Sequence, residues 1–580
     1  TVEEVIPVPS DVKNSENTYS GVISEVEKPS LYKEASLSGW TQNIEEGSSL
    51  AVIATGMKHE AKEIFIACVL DKDEISVLSA AKILISKALN QSYLQVTLSM
   101  KKYWEEFWKS AALIKIPDRE LEKLFYLGIY KMACMSMDGE TVATLQGPWV
   151  EDHRMPPWCC DYHFNINVQE CYWPAFACNH PELLKPLFKL IDSWKEKLRL
   201  NAKAYVGIED GIQLDTSCDD RGKGMGGLWT IDHGSTAWVG QLMDLYYKYT
   251  KDESFFKETL YPFVRGVFRV YFEMLEKEGE RYTLPVSISP EITEGGKSGQ
   301  DATFQLSCIH NTCRSLVYAI EKLELDDPIL EICKDVQKNL PLYSSAVDKW
   351  GNEELQVWKG VSLRSSHRHH SHLAGIYPFD MMDYFFNEEH KKTIRKSLEV
   401  LTMKGMGAWT GWCLPWASIL FSKTGNGTSA ELMLQIYRRI FTMQGYASTI
   451  DARFMGITEF AWTPDIMQVE AAVGFSEAVL QMLTTNVQGR MHLFPAIPEI
   501  WKDVSFAGIR TEGAFLVDGE FSQGKIQWLR IYCEKGQLLT LANPFKGGCK
   551  VIFKERQYEK VYTDQIMYIP TETGEWIELV

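Results

Sequence analysis

The chain has 580 residues, a formal net charge of −17, 45% hydrophobic residues and 24% charged residues. This balance predicts a globular protein that can bury a large core. The negative charge disfavours nucleic acid as a partner, because phosphate binding needs clustered Lys and Arg, and the absence of an apolar run of about 18 residues disfavours a membrane-spanning helix.

The first predicted region, residues 1 to about 95, is β-rich and lacks long helical periodicity. Residues 50–55 and 63–69 have the composition of strands, with Ile64 and Ile66 on one face. Stretches rich in Pro and Ser precede them. We therefore expect an N-terminal β-sandwich domain over residues 1–95, whose N-terminal part need not be complete.

The second region, residues 96–485, has helical periodicity. The clearest apolar stripe, at steps of three and four, consists of Leu260, Phe263, Val264, Val267, Val270, Tyr271 and Met274. Similar stripes recur at 182–200, 236–250, 305–322, 389–402, 412–423, 429–442 and 471–484. Long polar loops separate them, which suggests a toroid of helical hairpins whose loops are free to carry chemistry.

The third region, residues 486–580, returns to alternating apolar and polar residues. Between 526 and 533, Trp528 and Arg530 alternate with Leu529 and Ile531. The Asp-Gly pair at 518–519 and the Gln-Gly pair at 523–524 are predicted to be turns between strands. We expect a small C-terminal β-sandwich domain, so the predicted fold class is mainly α with flanking β domains.

The first dense polar cluster lies at residues 145–174, a stretch too polar and too rich in proline for a helix interior. Aromatic faces stack on sugar rings, and the whole chain has 18 Trp, so composition leaves a carbohydrate site and large aromatic cores both open. We interpret this segment as lining a site rather than as a buried network that pins a long connection. Its notable residues are Trp149, Trp158, Trp173, His163, Asn165, Asn167, Glu151, Asp152, Asp161 and Glu170.

A second segment, residues 285–296, places Glu291 directly after Pro290. A carboxylic acid in a cleft lined by Trp would have its pKa raised by desolvation. It could then donate a proton to a glycosidic oxygen near neutral pH. The alternative is an ordinary loop glutamate, and Glu294 is a rival candidate in the same loop.

A third segment carries four His in six residues, at positions 367, 369, 370 and 372. Their spacing matches none of the usual zinc motifs, and no thiolate or acid lies among them. We therefore favour imidazoles that hydrogen-bond to sugar hydroxyls or orient the acid. At least two of them are expected to be structural, and a metal site is the minor alternative.

Two predicted helix starts complete the candidates. Trp409 and Trp412 precede one helix, where aromatic packing alone is the alternative explanation. Residues 464–475 carry Asp465 and Glu470, and Glu470 precedes small residues, as if another group approaches closely there. The alternative for Glu470 is a buried structural acid paired with a His or an Arg.

The order of these motifs resembles glycoside hydrolase family 95, a family of α-L-fucosidases and α-L-galactosidases. The resemblance covers about 145 to 500 and consists of LQG (145–147), PPW (156–158), NIN (165–167), YWP (172–174), SPE (289–291), HRH (367–369), TGW (410–412) and HLFPAIP (492–498). It implies a β domain, a linker, an (α/α)6 barrel and a C-terminal β domain. It also implies hydrolysis of terminal α-linked L-fucose or L-galactose with inversion, without a metal or organic cofactor.

The resemblance assigns roles by motif. Glu291 corresponds to the general acid, and Asn165 and Asn167 to amides that position and polarise the attacking water. Glu470 falls where the family has an Asp that assists these amides as base partner. In an inverting enzyme about 6.5–9.5 Å separates the two acidic groups, which leaves room for this water. Together with the clusters above, the candidate sugar-binding residues are Trp149, Trp158, His163, His367, His369, Trp409 and Trp412.

The sequence departs from the family pattern at two places near the expected site. Glu470 replaces Asp and is one methylene longer, which could shift the water or change the sugar that is accepted. Residues 168–173 read VQECYW where the family reads TEMNYW, so Glu170 and Cys171 replace residues near the sugar pocket. The L-sugar that is recognised therefore stays open.

Three alternatives use the same residues. A sugar phosphorylase on this type of barrel would keep Glu291, but phosphate would replace the base carboxylate, which the acid at position 470 argues against. A catalytically inactive carbohydrate-binding protein is compatible with the substitution at 470. A metal-dependent hydrolase would use the His cluster and would lose activity in a chelator.

Partners and compartment are only broadly indicated. We expect an oligosaccharide or glycan substrate, and no nucleic-acid or membrane partner. The 13 Cys have no zinc-like spacing, and we interpret them as mostly reduced, buried thiols, which slightly favours the cytoplasm. No signal peptide opens the chain, yet a secreted or periplasmic protein whose leader was removed stays an alternative. The oligomeric state is not predicted.

Overall fold

The chain divides into two compact units in the computed structural model. Unit 1 contains residues 1–110 and 150–159, and unit 2 contains residues 111–149 and 160–580. The residues that the structure describes are 27–45, 48–55, 64–71, 77–91, 93–136, 142–149, 157–224, 232–293, 296–450, 452, 457 and 466–580. The predicted domain boundaries near 95 and 485 stay a prediction.

Unit 1 contains an antiparallel sheet in which sequential strands are neighbours, in the order β1-β2-β3-β4. Its elements are β1 Ser30–Glu34, β2 Leu37–Glu45, β3 Ser48–Thr55, β4 Ile66–Asp71, α1 Val77–Leu89 and α2 Tyr93–Ser110. The strand predicted at 50–55 is confirmed as β3, and most of the one predicted at 63–69 is confirmed as β4. The sheet agrees with the β-rich character predicted for this region.

One face of this sheet packs against α1. Ala51, Ile53 and Ala67 alternate toward that face and are buried with Ala81 and Ile85 of the helix, as expected for a strand period of two. Ile64 and Ile66, which were predicted to share a face, are 49% and 69% exposed. They therefore lie away from this core rather than in it.

Helices dominate unit 2. They are α3 Arg119–Met135, α4 Asn167–Glu170, α5 Trp173–Ala177, α6 Lys185–Ser193, α7 Lys195–Val206, α8 Gly234–Thr250, α9 Glu253–Phe255, α10 Tyr261–Met274, α11 Thr303–Lys322, α12 Ile329–Asn339, α13 Glu388–Lys404, α14 Cys413–Ser422, α15 Gly427–Ile440 and α16 Glu470–Leu483. A π-helical turn at Phe256–Leu260 joins α9 to α10. The predicted apolar stripes fall on these helices, except that the one at 182–200 is divided between α6 and α7 and that Leu260 lies in the π-helical turn. The helical character of this region is therefore confirmed.

Unit 2 contains two kinds of helix. The helices α8, α11, α14 and α16 are buried over nearly their whole length, whereas α10, α12 and α15 bury one face only. Helix α11 packs against α10 and α12, and α14 packs against α15 and α16. A helix that is apolar on one stripe belongs at the edge of a core, and one that is buried all round belongs inside it.

Local signals in the sequence start and stop these helices. Asp118 caps α3 by accepting hydrogen bonds from the backbone N–H groups of Glu120 and Leu121 at 3.0 and 3.1 Å. Asn387 caps α13 in the same way. Gly207 follows α7 with a φ of 82°, which a glycine adopts at no steric cost. The boundaries therefore follow from ordinary capping chemistry.

The C-terminal strands form two sheets. One is ordered β12-β13-β17-β20, and the other is ordered β19-β18-β21-β16-β15-β14-β5. Their strands are β5 Leu113–Lys115, β12 Thr484–Val487, β13 Arg490–Leu493, β14 Asp503–Thr511, β15 Phe515–Ser522, β16 Lys525–Cys533, β17 Leu538–Ala542, β18 Cys549–Phe553, β19 Tyr558–Tyr562, β20 Ile566–Pro570 and β21 Glu575–Leu579. Strand β5 lies in the region predicted to be helical, yet it pairs with β14. The short two-stranded ladders inside the helical region are formed by β6 Tyr162–His163 with β7 Ser217–Cys218, β8 Glu276–Glu278 with β9 Arg281–Thr283, and β10 Ser345–Val347 with β11 Glu353–Leu355.

The alternation predicted for β16 is confirmed, since Leu529 and Ile531 are buried and Trp528 is exposed. The Gln-Gly pair at 523–524 forms the predicted turn between β15 and β16. The predicted turn at Asp518 is wrong, because this residue lies inside β15. Its carboxylate accepts a hydrogen bond from the N–H of Gly508 at 2.8 Å and forms an ion pair with Arg530, so partners on both neighbouring strands hold an acid that otherwise favours turns.

Within the described ranges, no helix combines the length and the apolar character that a bilayer span requires. The cysteines of these ranges are unbonded to one another, and most are buried. This agrees with the prediction of mostly reduced, buried thiols.

A buried acid in α16 makes stability depend on pH. The Glu477 carboxylate accepts a hydrogen bond from Gln481 Nε2 at 2.6 Å, and burial raises the pKa of Glu477 to about 8. Such a group stabilises the fold in its protonated form, so its contribution is present at low pH and is lost as the pH rises from 4.5, its usual pKa, to about 8.

Glu477→Gln cannot ionise, so this variant should gain stability relative to the wild type as the pH rises. We expect the difference in unfolding free energy to change by on the order of 2–4 kcal/mol between about pH 5 and about pH 9. Urea unfolding of both proteins at the two pH values measures it. An equal difference at both pH values would show that Glu477 does not titrate in this range.

Candidate active site

Two amide side chains bridge two acids that are distant in the sequence. Asn165 and Asn167 lie where the chain passes from β6 into α4. Asn165 Nδ2 donates a hydrogen bond to Glu291 Oε1 at 2.9 Å, and Asn167 Nδ2 donates one to Glu470 Oε1 at 2.7 Å. The four residues assigned catalytic roles by resemblance therefore lie together in unit 2.

Glu291 occupies a tight turn in a strained backbone conformation. The N–H of Ile292 donates to the carbonyl of Ser289 at 3.1 Å, Pro290 fills the first central position, and Glu291 has a φ of 55°. The second central position of such a turn usually needs glycine. A non-glycine residue in this region costs about 1–3 kcal/mol, and such strain clusters at functional sites.

The His-rich segment surrounds Glu291. His369 Nε2 lies 3.2 Å from Glu291 Oε2, and the Arg368 guanidinium forms an ion pair with the same oxygen. His367 Nδ1 accepts a hydrogen bond from the N–H of His369 at 3.0 Å, which leaves its Nε2 to donate to the Glu291 carbonyl at 3.2 Å. Ser371 Oγ also hydrogen-bonds Ser289 Oγ at 2.6 Å. The segment therefore contacts both the backbone and the carboxylate of Glu291. These contacts are those expected if the imidazoles orient the acid, which is one of the two roles predicted for them.

The expected effect on the acidity of Glu291 is wrong. Burial alone would raise the pKa of Glu291, as predicted from a Trp-lined cleft, but the charges of His369 and Arg368 and the hydrogen bond from His369 outweigh it. The pKa of Glu291 is therefore well below its usual range. Nearby cations, which a lone motif does not reveal, decide the protonation of this acid.

Glu470 has the opposite electrostatic environment. It is the first residue of α16 and is completely buried. Burial raises the pKa of Glu470 to about 7, although the hydrogen bond from Asn167 opposes the shift. Two carboxyl groups whose pKa values are moved in opposite directions are a common arrangement for acid–base chemistry.

A third titratable group lies beside Glu291. His163 Nε2 is 4.0 Å from Glu291 Oε1, and His163 Nδ1 is 3.1 Å from Asp161 Oδ2. Pairing of β6 with β7 places Ser217 opposite His163, where its hydroxyl donates to Asp161. Burial would lower the pKa of His163, but Asp161 and then the charges of Glu291 and Glu470 raise it.

The small residues after Glu470 permit close approach, as predicted. A Cβ at Gly474 would lie 2.1 Å from Glu170 Oε1, so only glycine leaves space for this carboxyl. The prediction that some group comes near α16 here is confirmed, and that group is Glu170.

The four tryptophan candidates have four different surroundings. The Trp412 ring contacts His369 edge-on, with 4.9 Å between ring centroids, so it touches a residue that lies beside Glu291. Trp409 is buried against His370, with 4.7 Å between ring centroids. Trp149 is exposed on the surface of unit 2. Trp158 belongs to unit 1, and its role in the site stays a prediction.

Sequence reasoning missed one residue of this group and underused another. Arg368 stands between two predicted His and forms an ion pair with the predicted acid, yet it was not a candidate; its place inside the HRH motif was the available signal. Glu170 was noted only as a substitution. Four acids discussed above lie outside the described residues: Glu151, Asp152, Glu294 and Asp465.

In the part of the chain that the structure describes, no three His, Cys, Asp or Glu side chains are grouped so that they could hold a metal ion. The His-rich segment engages Glu291 and backbone carbonyls; His370 Nε2, for example, lies 3.3 Å from the carbonyl of Cys413. The expectation of a reaction without metal or cofactor stays a prediction.

Comparison with known proteins places these residues in a wider set. The profile of the glycosyl hydrolase family 95 catalytic domain matches residues 77–483, and that of the family's C-terminal domain matches residues 486–579. The two matches together cover most of unit 2. They include Glu291 and the residues described beside it, which are His163, Asn165, Arg368 and His369.

Curated relatives carry related names. "Alpha-L-fucosidase 2" of Arabidopsis thaliana is 26% identical over 446 residues, which are 74% of this chain and 51% of that protein. "Probable alpha-fucosidase A" of Aspergillus niger is 25% identical over 434 residues, which are 68% of this chain and 51% of that protein. The chain spans about half the length of the curated relatives it matches.

Among solved structures, a "putative kojibiose phosphorylase from human microbiome" matches with a TM-score of 0.63 and 12% sequence identity. The match covers 95% of this chain and 81% of that chain. At this identity the similarity concerns the fold alone.

Proposed function

The chain belongs to glycoside hydrolase family 95, and we propose that it removes a terminal α-linked L-sugar of the L-fucose or L-galactose type, with inversion of configuration. The family acts on glycans, so an oligosaccharide or glycan is the substrate class. The curated relatives named as α-fucosidases support the sugar type. One observation carries the proposal: the paired amides of Asn165 and Asn167, each hydrogen-bonded to one of two acids, half-buried Glu291 and buried Glu470.

In the proposed reaction, protonated Glu291 gives its proton to the glycosidic oxygen as the bond to the anomeric carbon breaks. A water held by the two amides attacks that carbon from the opposite side. Asn165 Oδ1 is buried and has no hydrogen-bond partner among the described residues, so it is available to accept from this water. Glu470 raises the acceptor strength of Asn167 through its Nδ2. As the base partner, ionised Glu470 takes up the proton that the attacking water loses, and exchange with solvent then returns a proton to Glu291 and removes the one on Glu470.

The fixed donors and acceptors supply the physical logic. Charge that develops at the anomeric carbon and the leaving oxygen meets groups whose orientation is already set by buried hydrogen bonds. His163, His367, His369 and Trp412 are proposed to contact the sugar around Glu291. Trp149, Trp158 and Trp409 are proposed as more distant contacts of a longer glycan.

The low pKa of Glu291 predicts a specific pH dependence of kcat/KM. The reaction needs protonated Glu291 together with ionised Glu470. Because the pKa of Glu291 lies below that of Glu470, the acidic limb of the kcat/KM profile follows Glu291 and the alkaline limb follows Glu470. Arg368→Met removes one of the cations that hold the pKa of Glu291 down, so the acidic limb should move to higher pH. Rates measured across pH on one aryl glycoside test this.

Arg364→Met is the matched control, because this exposed arginine lies on the same segment and is not among the main groups that shift the pKa of Glu291. Its profile should coincide with that of the wild type. An acidic limb that stays in place in Arg368→Met would remove Glu291 from the role of acid.

The function is tested by a screen of aryl α-L-fucosides, α-L-galactosides and natural oligosaccharides, with NMR of the first anomer formed. Release of the inverted sugar supports the proposal. Consumption of inorganic phosphate would instead indicate a phosphorylase, and sugar binding without turnover a non-catalytic protein. Retention of configuration would contradict the inverting mechanism.

We further propose that the helices of unit 2 complete an (α/α)6 barrel, with a β-sandwich domain before it and another after it in the sequence. The presence of both fully buried and one-faced helices supports the barrel, as does the fold similarity reported above. The loops at one end of such a barrel would then carry Glu291 and the His-rich segment.

A further inference from the structure

Glu170 is a buried acid that the proposed reaction does not use. It lies at the end of α4, three residues after Asn167, so the two side chains share one side of this short helix. Glu170 is completely buried. Neither of its carboxyl oxygens has a hydrogen-bond partner among the described residues.

The facing helix presents the second half of the arrangement. Helix α4 packs against α16, where Glu470 and Gly474 are one turn apart on the same side. Asn167 contacts Glu470, and Glu170 fits into the space that the missing side chain of Gly474 leaves. Two side-by-side contacts therefore connect α4 and α16, namely Asn167 with Glu470 and Glu170 with Gly474. Each contact contains one carboxyl group.

Glu470 also has an oxygen to spare. Its Oε1 accepts from Asn167, whereas Oε2 is buried without a partner among the described residues. A buried polar atom without a hydrogen bond costs about 1–3 kcal/mol. One proton on the Glu170–Glu470 pair, shared directly or through a water, would satisfy an oxygen on each residue.

The surroundings favour a neutral Glu170. The titratable groups that interact with it are, besides Glu470, the thiols and phenols of Cys171, Cys413, Tyr377 and Tyr437, whose pKa values are all raised by burial. None of these groups is cationic. Burial, and then the charge of Glu470, raise the pKa of Glu170 well above its usual value.

We propose that Glu170 is a positioning residue that keeps its proton and shares it with Glu470, so that Glu470 remains the anion that orients Asn167. This inference rests on the proposed function. The proton stays within the pair during turnover, and no bond to the substrate is made or broken by Glu170.

A pair of substitutions separates a neutral donor from a packing residue. Glu170→Gln is neutral and retains an N–H donor, so kcat on an aryl α-L-fucoside should stay within about threefold of the wild type. Glu170→Met fills similar space without a donor, so kcat should fall at least about tenfold. In Glu170→Met the alkaline limb of kcat/KM should also move to higher pH, because ionised Glu470 loses its donor and its pKa rises.

A double-mutant cycle tests the coupling. Asp at 470 is one methylene shorter and withdraws from Glu170, so Glu170→Met should cost less than about threefold in the Glu470→Asp background. Glu477→Gln, another buried acid of α16, is the control and should shift neither limb. Equal losses in Glu170→Gln and Glu170→Met, or none in Glu170→Met, would overturn the proposal.

An infrared measurement keeps this test independent of the substrate. At neutral pH the difference spectrum between the wild type and Glu170→Gln should contain the carbonyl stretch of a buried protonated carboxyl. The difference spectrum of Glu477→Gln identifies the separate contribution of Glu477, which is also protonated at this pH. Absence of a protonated-carboxyl stretch from the Glu170→Gln difference spectrum would overturn the proposal. If the wild type turns over no glycoside, the proposed function fails, whereas the infrared result still decides where the proton lies.

Discussion

Glu291→Gln should lower kcat on a natural oligosaccharide by about three orders of magnitude, because general acid catalysis typically contributes about 10²–10⁴-fold. The substitution keeps the shape of the side chain and its hydrogen bond with Asn165 but leaves no proton to transfer. The loss should be much smaller on an aryl glycoside with a good leaving group, which departs with little protonation. Steady-state rates on both substrate types measure it.

Glu477→Gln is the matched control, since it removes another buried carboxyl group of unit 2 without touching the amide pair. It should retain wild-type kcat on both substrates at neutral pH. Wild-type rates of Glu291→Gln on the natural oligosaccharide would exclude Glu291 as the proton donor, and equal losses on both substrates would indicate a different role.

Asn167→Ala should lower kcat by about 10²-fold or more on every substrate, whatever its leaving group. Removing one preorganised dipole at a reacting centre typically costs about 2.7–4 kcal/mol. The amide positions the attacking water and not the departing oxygen, so the loss should not depend on the leaving group. A plot of log kcat against leaving-group pKa should therefore shift downward with an unchanged slope.

The control for this variant is Asn486→Ala. Asn486 is a buried residue of β12, and its Nδ2 donates a hydrogen bond to the Tyr249 hydroxyl at 3.3 Å. The stability of Asn486→Ala is expected to fall while kcat per folded molecule stays constant. If Asn167→Ala changed the slope instead, the amide would be acting on the leaving group. Asn165→Ala is expected to resemble Asn167→Ala, with an added change in the pKa of Glu291.

Periodicity was sufficient to predict the helices, because apolar residues at steps of three and four form one continuous face only if the segment is an α-helix. The same reasoning failed at Asp518, since the partners that keep it in a strand, Gly508 and Arg530, come from other strands. Turn propensity is local, and these contacts are not.

The candidate site was predictable in membership but not in charge. The resemblance to the family predicted that Glu291, Asn165, Asn167 and Glu470 belong to one site. In the structure, hydrogen bonds connect Asn165 to Glu291 and Asn167 to Glu470. The acidity of Glu291 could not be predicted from its loop, because it depends on how close a guanidinium and an imidazole approach. Likewise, the sequence alone does not explain the glycine at 474, because the reason for it is the Glu170 carboxyl group that occupies the adjacent space in the structure.

Strand β5 has a practical consequence for anyone who wishes to produce the helical region alone. Its three residues, which precede α3, lie at the edge of the seven-stranded sheet through Ser505, Phe506 and Ala507. A fragment that stops near 485 would lack β14 and would leave the backbone of β5 unpaired. Expression trials should therefore retain the last hundred or so residues, or delete β5 together with them.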